Sequence, residues 1–345
     1  MAEESGASKV LVFGGTGYIG SYVVKASVSL GHPTYVYSRD LTPETPPPKK
    51  EILQHFESIG GTLEEQEKLV GVLRQVDVVI CTFAFPQVLD QLKIIDAIKI
   101  AGNIKTRDQL VGSLGHGSGP TSLATDGASP SLLRFIPADF GLEEERVKPL
   151  KPFQELLNKK SEVRRAAKEA GIPYTFVSAN FLGAYFMNKR LCPHENPDQL
   201  VIFGSGDVKV AYVYEEDLGA YTVKAANDPR TLNRIVNCRP RANIITTHEL
   251  FALWEKKTGR TFKKVYVTAE ELVKLAETLP SPQNVGPCIR HAAYVKGESV
   301  IDFEGGEEEI LEASQLYPDH KYTTIDELLD IMLVNPPKPA STAMG

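Results

Sequence analysis

The sequence predicts an α/β fold, with strands and helices alternating around a doubly wound parallel sheet and a smaller α/β region after it. Three observations carry that expectation. A glycine triplet sits between a short apolar run and a periodic helix, within Val10 to Leu30. Apolar, β-rich segments then alternate with helical patterns as far as Asn180, as βαβ units require. Beyond that point strand-like and helix-like segments mix without a regular order.

The first unit is "KVLVFGGTGYIGSYVVKASVSLGHPTYVYSRDL". Val10 to Phe13 reads as a buried strand, and Gly14, Gly17 and Gly20 follow in G-x-x-G-x-x-G spacing. An amphipathic helix runs to about Leu30, and Thr34 to Tyr37 forms the second strand. Glycines at these steps permit a tight strand-to-helix turn, close approach of backbone to a pyrophosphate and close helix-to-sheet packing. Strand before and helix and strand after supply the context that the triplet alone lacks. The segment therefore predicts a Rossmann-type dinucleotide site, with Gly14, Thr16, Gly17, Tyr18, Ile19 and Gly20 as cofactor-binding candidates. Which dinucleotide depends on the end of the second strand. An acidic residue there would bond a ribose hydroxyl, whereas this chain has Ser38-Arg39. The guanidinium fork of Arg39 suits a 2′-phosphate, and Lys49 adds charge from the next loop, so NADPH is expected over NADH.

Later units follow the same logic. "VDVVICTFAF" and "RFIPADFG" read as strands, "VLDQLKIIDAIKIAG" and "PFQELLNKKSEVRRAAKEAG" as helices, and "PYTFVSAN" as the next strand. Ligands bind such sheets at the carboxyl ends of the strands. Those ends present Phe83, Ala84 and Phe85, then Ala138 and Asp139, then Asn180 and Phe181. Residues 1–180 are expected to form the NADP-binding domain and 181–345 mainly a substrate domain, with part of 208–240 returning to the first. Two features look irregular. "ESIGGTLEEQEKLVGVLRQ" passes almost directly from Gly60-Gly61 into a helix, so the third, edge strand seen in a full sheet is expected to be deleted. Thr106 to Leu133, rich in Gly, Ser and Thr, reads as an inserted mobile loop.

One residue is out of place on its helix. At about 100° per residue, Phe153, Leu156, Leu157, Val163 and Ala167 form an apolar stripe with Lys160 near its middle, while Lys159 points away. Lys160 could lay its stem along apolar surface and carry its ammonium to water. Alternatively the stripe borders a cleft, and Lys160 enters it as an acid or base.

The remaining composition is restrictive. The 345 residues are 42% hydrophobic and 24% charged with a net charge of −6, a balance that does not favour nucleic acid or an anionic membrane. Cys81, Cys192, Cys238 and Cys288 lack C-x-x-C spacing and read as reduced, and the seven histidines form no metal-ligand pattern, so no metal site is expected. "MAEESGASKV" is unlike a secretory signal, and no apolar run approaches the length of a membrane span. A cytoplasmic monomer or homodimer is expected.

"VFGGTGYIG", the Arg39 after it, "RFIPADFG", "KKSEVRRAAKEAGIPYTFVSAN", "DPRTLNRIV", "ELFALWEKKTGRTFKKVYV" and "YPDHKYTTIDELLD" together resemble the plant isoflavone-reductase-like reductases. These are NADPH-dependent, atypical short-chain dehydrogenases of the NmrA-like group. "TFAFPQ", "EEERVKPLKPF" and "NPPKPAS" are most similar to the eugenol and isoeugenol synthases. The resemblance implies that Lys160 is the catalytic lysine, projecting toward nicotinamide and substrate. It further implies reduction of coniferyl acetate, in which loss of the phenolic proton helps expel acetate and leaves a quinone-methide-like intermediate. Phe85 and Tyr185 match pocket positions, and Lys189 stands where eugenol synthases have tyrosine. The alternatives it leaves are a phenylcoumaran benzylic ether reductase, an NADP-binding sensor or an inactive member. The Y-x-x-x-K pairs Tyr185/Lys189 and Tyr317/Lys321 carry the spacing of the standard dehydrogenase couple, but the first lies after the sixth strand rather than on the helix before it.

Overall fold

The computed structural model describes residues 7–38, 57–60, 62–85, 87–102, 133–191, 197–301 and 310–337. Arg39, Lys49, Cys192 and nearly all of the predicted 106–133 insertion lie outside the described residues.

Five parallel strands, β1 (Val10–Phe13), β2 (Thr34–Ser38), β3 (Glu57–Gly60), β4 (Val78–Cys81) and β5 (Arg134–Ile136), stand in the order β3-β2-β1-β4-β5. The register pairs Val10 with Thr34 on one side and with Val78 on the other. A bridge between Phe135 and Tyr174 links β5 to β6 (Thr175–Ser178). From β6 the parallel order continues through β10 (Arg234–Asn237) to β13 (Ile310–Glu312). β1 and β4 are buried along their whole length, as central strands of a sheet covered on both faces must be. Because side chains alternate across a strand, Leu11, Phe13, Val79 and Cys81 join one core cluster. Val10, Val12, Val78 and Ile80 join the other.

The expected deletion of the third strand is corrected here. Glu57–Gly60, "ESIG", is that strand: Tyr35 pairs with Glu57 and Ser38 with Gly60. An edge strand is held by backbone hydrogen bonds to one neighbour and needs no apolar run, so four mostly polar residues suffice.

Helices α1 (Tyr18–Ser29), α2 (Gln66–Leu73), α3 (Gln91–Ala101) and α4 (Lys151–Glu169) cover the sheet. α5 (Gly183–Leu191) follows β7 (Phe181–Leu182), and α6 (Glu215–Asn227) packs along α1. Gly219 permits that packing, since a Cβ there would lie 2.7 Å from the Tyr22 carbonyl oxygen. β8 (Gln199–Phe203) pairs with β12 (Lys263–Val267). β9 (Lys209–Val213) lies between β7 and β11 (Ile244–Thr246). α7 (Thr247–Thr258), α8 (Ala269–Thr278) and α11 (Ile325–Val334) each start with a capping box, Thr246/Glu249, Thr268/Glu271 and Thr324/Glu327. Such boxes satisfy the first free N–H groups of a helix and place its start within a residue. α9 (Val285–Tyr294), which the sequence pattern did not predict, packs against α4, and the single turn α10 (Ala313–Leu316) follows β13. Cys81, Cys238 and Cys288 are buried and unbridged. No helix of the described residues is long and apolar enough to cross a membrane.

Candidate active site

The turn after β1 is built for close backbone approach. Gly14 has a φ of +75°, and a Cβ on it would sit 2.8 Å from Thr82 Oγ1 at the end of β4. A Cβ on Gly20 would meet the Gly15 Cα and Thr82 Oγ1, each at 2.7 Å. Thr82 is itself fixed, its hydroxyl donating to the Phe13 carbonyl at 2.9 Å. Gly17 caps α1 without a side-chain acceptor, and the first turn carries no acidic residue. Its N–H groups and the positive end of the helix dipole therefore face the turn with no acidic side chain of the helix itself competing for them, an arrangement that fits a pyrophosphate.

The second part of the site lies at the ends of β5 and β6. Lys160 Nζ donates to the backbone carbonyl of Asp139 and lies over Gly141, where a Cβ would come within 3.3 Å of it. Burial lowers the lysine pKa, against the opposing pull of Glu144 and Asp139. Behind it, Arg164 is fully buried and gathers three carboxyl groups. Its Nε donates to Asp139 Oδ2 at 2.8 Å. Nη1 and Nη2 reach Glu143 at 2.6 and 3.1 Å. Glu144 Oε1 lies 2.8 Å from the same Nε, yet neither Glu144 oxygen has a hydrogen-bond partner among the described residues. Ser178 Oγ completes Glu143 at 2.6 Å. Burial pushes the Glu143 carboxyl up, but the charge and hydrogen bonds of Arg164 outweigh it and hold the group below its ordinary value. Burial wins at Glu144, whose carboxyl is driven well above the carboxylate range.

A third group comes from α5 and α6. Buried Glu215 accepts from the backbone N–H groups of Ala184 and Tyr185, at 3.0 and 2.9 Å, and from the Tyr18 hydroxyl at 2.9 Å. One carboxylate thus caps the helix that carries Tyr185 and ties it to the first turn of α1. The Tyr18 and Tyr185 rings lie 5.9 Å apart.

The predicted residues fall into these groups unevenly. Phe83 is half-buried and meets the Phe13 ring edge at 6.2 Å, Ala84 is exposed, and Phe85 lies under Lys159 Nζ at 5.3 Å from its ring centre. Asn180 takes a positive φ of 55° and bonds Asn237 at 2.6 Å. The Asp139 and Phe181 side chains turn inward, the first to Arg164 and the second into an aromatic cluster with Phe186, Tyr212 and Tyr294. Lys189 shares α5 with Tyr185, but its side chain is outside the described residues. Tyr317 is spent on Asp228 at 3.0 Å, and the Lys321 side chain is 89% exposed, so that Y-x-x-x-K pair forms no couple. Sequence reasoning missed Arg164, Glu143, Glu144 and Glu215. Only Arg164 left a signal, lying one helical turn beyond Lys160.

Comparison with known proteins adds the following. The sequence profile of the NmrA-like family matches residues 6–107 and 130–329, and its gap falls inside the segment predicted as an insertion. Isoeugenol synthase 1 of Petunia hybrida is 45% identical over 340 residues, spanning 97% of this chain and 96% of the relative. A phenylcoumaran benzylic ether reductase of Betula pendula is 41% identical over 93% of this chain and 97% of the relative. The binary complex of leucoanthocyanidin reductase with NADPH from Vitis vinifera superposes with a TM-score of 0.80 at 31% identity. It covers 95% of this chain and all of that one.

Proposed function

Because this chain belongs to the NmrA-like family, we propose that it is an NADPH-dependent oxidoreductase of phenylpropanoids that reduces coniferyl acetate to isoeugenol or eugenol. The observation that carries the reading is Lys160. A partly desolvated lysine, its pKa lowered, stands over Gly141 past the carboxyl end of β5, a strand of the same parallel sheet whose β1 turn is shaped for pyrophosphate. Gly14, Thr16, Gly17, Tyr18, Ile19 and Gly20 would hold the pyrophosphate. Arg39 and Lys49 would meet the 2′-phosphate, and Phe83, Ala84 and Asn180, with the backbone of Asp139 and Phe181, would frame the nicotinamide. NADPH, when bound, supplies a hydride.

The chain's own part is proton handling. Lys160, as the free amine, takes the phenolic proton. The electron pair left on oxygen drives out acetate and leaves a quinone methide. Lys160 holds the proton until the reduced product, again a phenolate, needs it back. A lowered pKa makes the free amine accessible near neutral pH. Phe85, Tyr185 and Lys189 would bound the aromatic substrate.

The test is incubation of the protein with NADPH and coniferyl acetate, with products identified by gas chromatography–mass spectrometry. Isoeugenol or eugenol is expected from the parent and none from Lys160→Met, which should still bind NADPH. No product and no NADPH consumption would refute the reading. The similarity to the Betula reductase supports one rival, benzylic ether reduction. Turnover of a phenylcoumaran in place of coniferyl acetate would establish it.

A further inference from the structure

Arg290, which is within electrostatic reach of Tyr185, and its neighbour Arg190 have no carboxylate partner among the described residues. Arg190, on α5, is 8% exposed, and its partners are all neutral: the Tyr212 hydroxyl at 3.4 Å, the Val201 carbonyl at 3.3 Å and the Thr247 hydroxyl at 3.2 Å. Its Nε has no hydrogen-bond partner among the described residues. Arg290, on α9, is half-buried and makes no hydrogen bond or ion pair with any described residue. Both guanidinium groups lie over the ring of Phe203, at 5.8 and 5.4 Å from its centre. Burial lowers the Arg290 pKa, which the hydroxyls of Tyr294 and Tyr185 oppose and the charge of Arg190 reinforces. Arg190 also lies over the rings of Phe251 and Tyr294, at 4.9 and 4.5 Å, so the groups that face the two cations are neutral and aromatic, with no carboxylate against either among the described residues.

Burying charge without a partner is costly, and the strain is relieved when an anion arrives. A guanidinium presents a planar fork that matches a carboxylate with two parallel N–H···O bonds. The helix that carries Arg290 packs on the helix that carries Lys160, and Arg190 shares α5 with Tyr185. We propose that Arg290, backed by Arg190, forms a carboxylate-binding recess beside Tyr185 that receives the acetate expelled from the ester substrate. The assignment of acetate rests on the proposed reaction, and the recess itself rests on two neighbouring guanidinium groups with no carboxylate partner among the described residues. In that reaction the allylic C–O bond breaks, both electrons leave with the carboxylate, and the quinone methide left behind takes up the hydride that bound NADPH would supply. Arg290 stabilises the negative charge as it accumulates on the leaving oxygen.

The recess is testable without turnover. Sodium acetate and sodium benzoate should raise the melting temperature of the parent in a saturable way. Acetamide, benzamide and sodium chloride at equal ionic strength should not. Arg290→Met should abolish the carboxylate effect while keeping NADPH protection, and Arg290→Lys should restore part of it. With coniferyl acetate, Arg290→Met should lower kcat/KM by roughly 10- to 100-fold and remove product inhibition by acetate, corresponding to ~1.4–2.8 kcal/mol. Equal stabilisation by carboxylates and their amides, or undiminished carboxylate binding by Arg290→Met, would overturn the recess even if the parent makes isoeugenol. Saturable, Arg290-dependent carboxylate binding without turnover would keep the recess and refute the reaction.

Discussion

Replacing Arg164 with alanine should be among the most damaging single changes in this protein. The guanidinium is fully buried, makes three hydrogen bonds to Asp139 and Glu143, and has Glu144 2.8 Å from its Nε. Removal leaves buried carboxyl groups facing one another with Lys160 beside them. Breaking a buried ion pair from one side costs about 3–5 kcal/mol. At roughly 2–4 °C per kcal/mol for a large domain, the melting temperature should fall by about 6–20 °C at pH 7. The pH dependence gives a second, sharper reading. Glu143 is held below its ordinary pKa in the fold, so its contribution is present above the unfolded value and is lost as pH falls through the folded one. In Arg164→Ala that contribution is absent and the orphaned carboxyls prefer their protons. The gap between parent and variant should therefore be widest near pH 7 and narrow as pH falls toward about 4. Circular dichroism melts of both proteins at pH 7, 6, 5 and 4 decide the matter. A deficit under about 1 kcal/mol at pH 7, or one that does not change with pH, would refute the reasoning.

Three further outcomes are expected. Gly20→Ala places a methyl 2.7 Å from the Gly15 Cα, so the turn must open and NADPH affinity, read by fluorescence titration, should drop more than about tenfold. Glu215→Gln puts an amide NH2 among three donors and should cost about 1–3 kcal/mol in chemical unfolding, with a raised KM because Tyr185 and the start of α5 are released. The log of kcat/KM for coniferyl acetate should rise with pH and level off below the ordinary lysine value of 10.5, since the free amine is the active form and burial lowers its pKa. A limb that keeps rising to that value would show Lys160 to be solvated.

Local signals were legible in the sequence. The glycine turn, the apolar strands β1, β4 and β6, and helices α1, α3 and α4 each depend on residues within a few positions, so their spacing alone revealed them. Lys160 was legible for the same reason, because a helix has one period and the lysine fell on the apolar side of it. The strand β3 was not, since an edge strand is held by its neighbour's backbone and leaves no apolar signature.

What only the tertiary structure decided was which charges meet. Arg164 and Glu143 are 21 residues apart, and Glu215 lies about 200 residues from Tyr18. Charged residues are mostly solvated, so nothing along the chain distinguishes Glu143 or Glu215 from surface groups, and Arg164 differs only in lying one helical turn beyond Lys160. The sheet brings the ends of β5 and β6 together over α4, and that enclosure makes a buried arginine network beneath a lysine. The packing of α9 and α5 around Phe203 likewise brings Arg190 and Arg290 together with no carboxylate against them among the described residues. The sequence determined the turn, the helix and the lysine by short-range spacing. Their desolvation, and with it their chemistry, came from contacts between segments far apart in the chain.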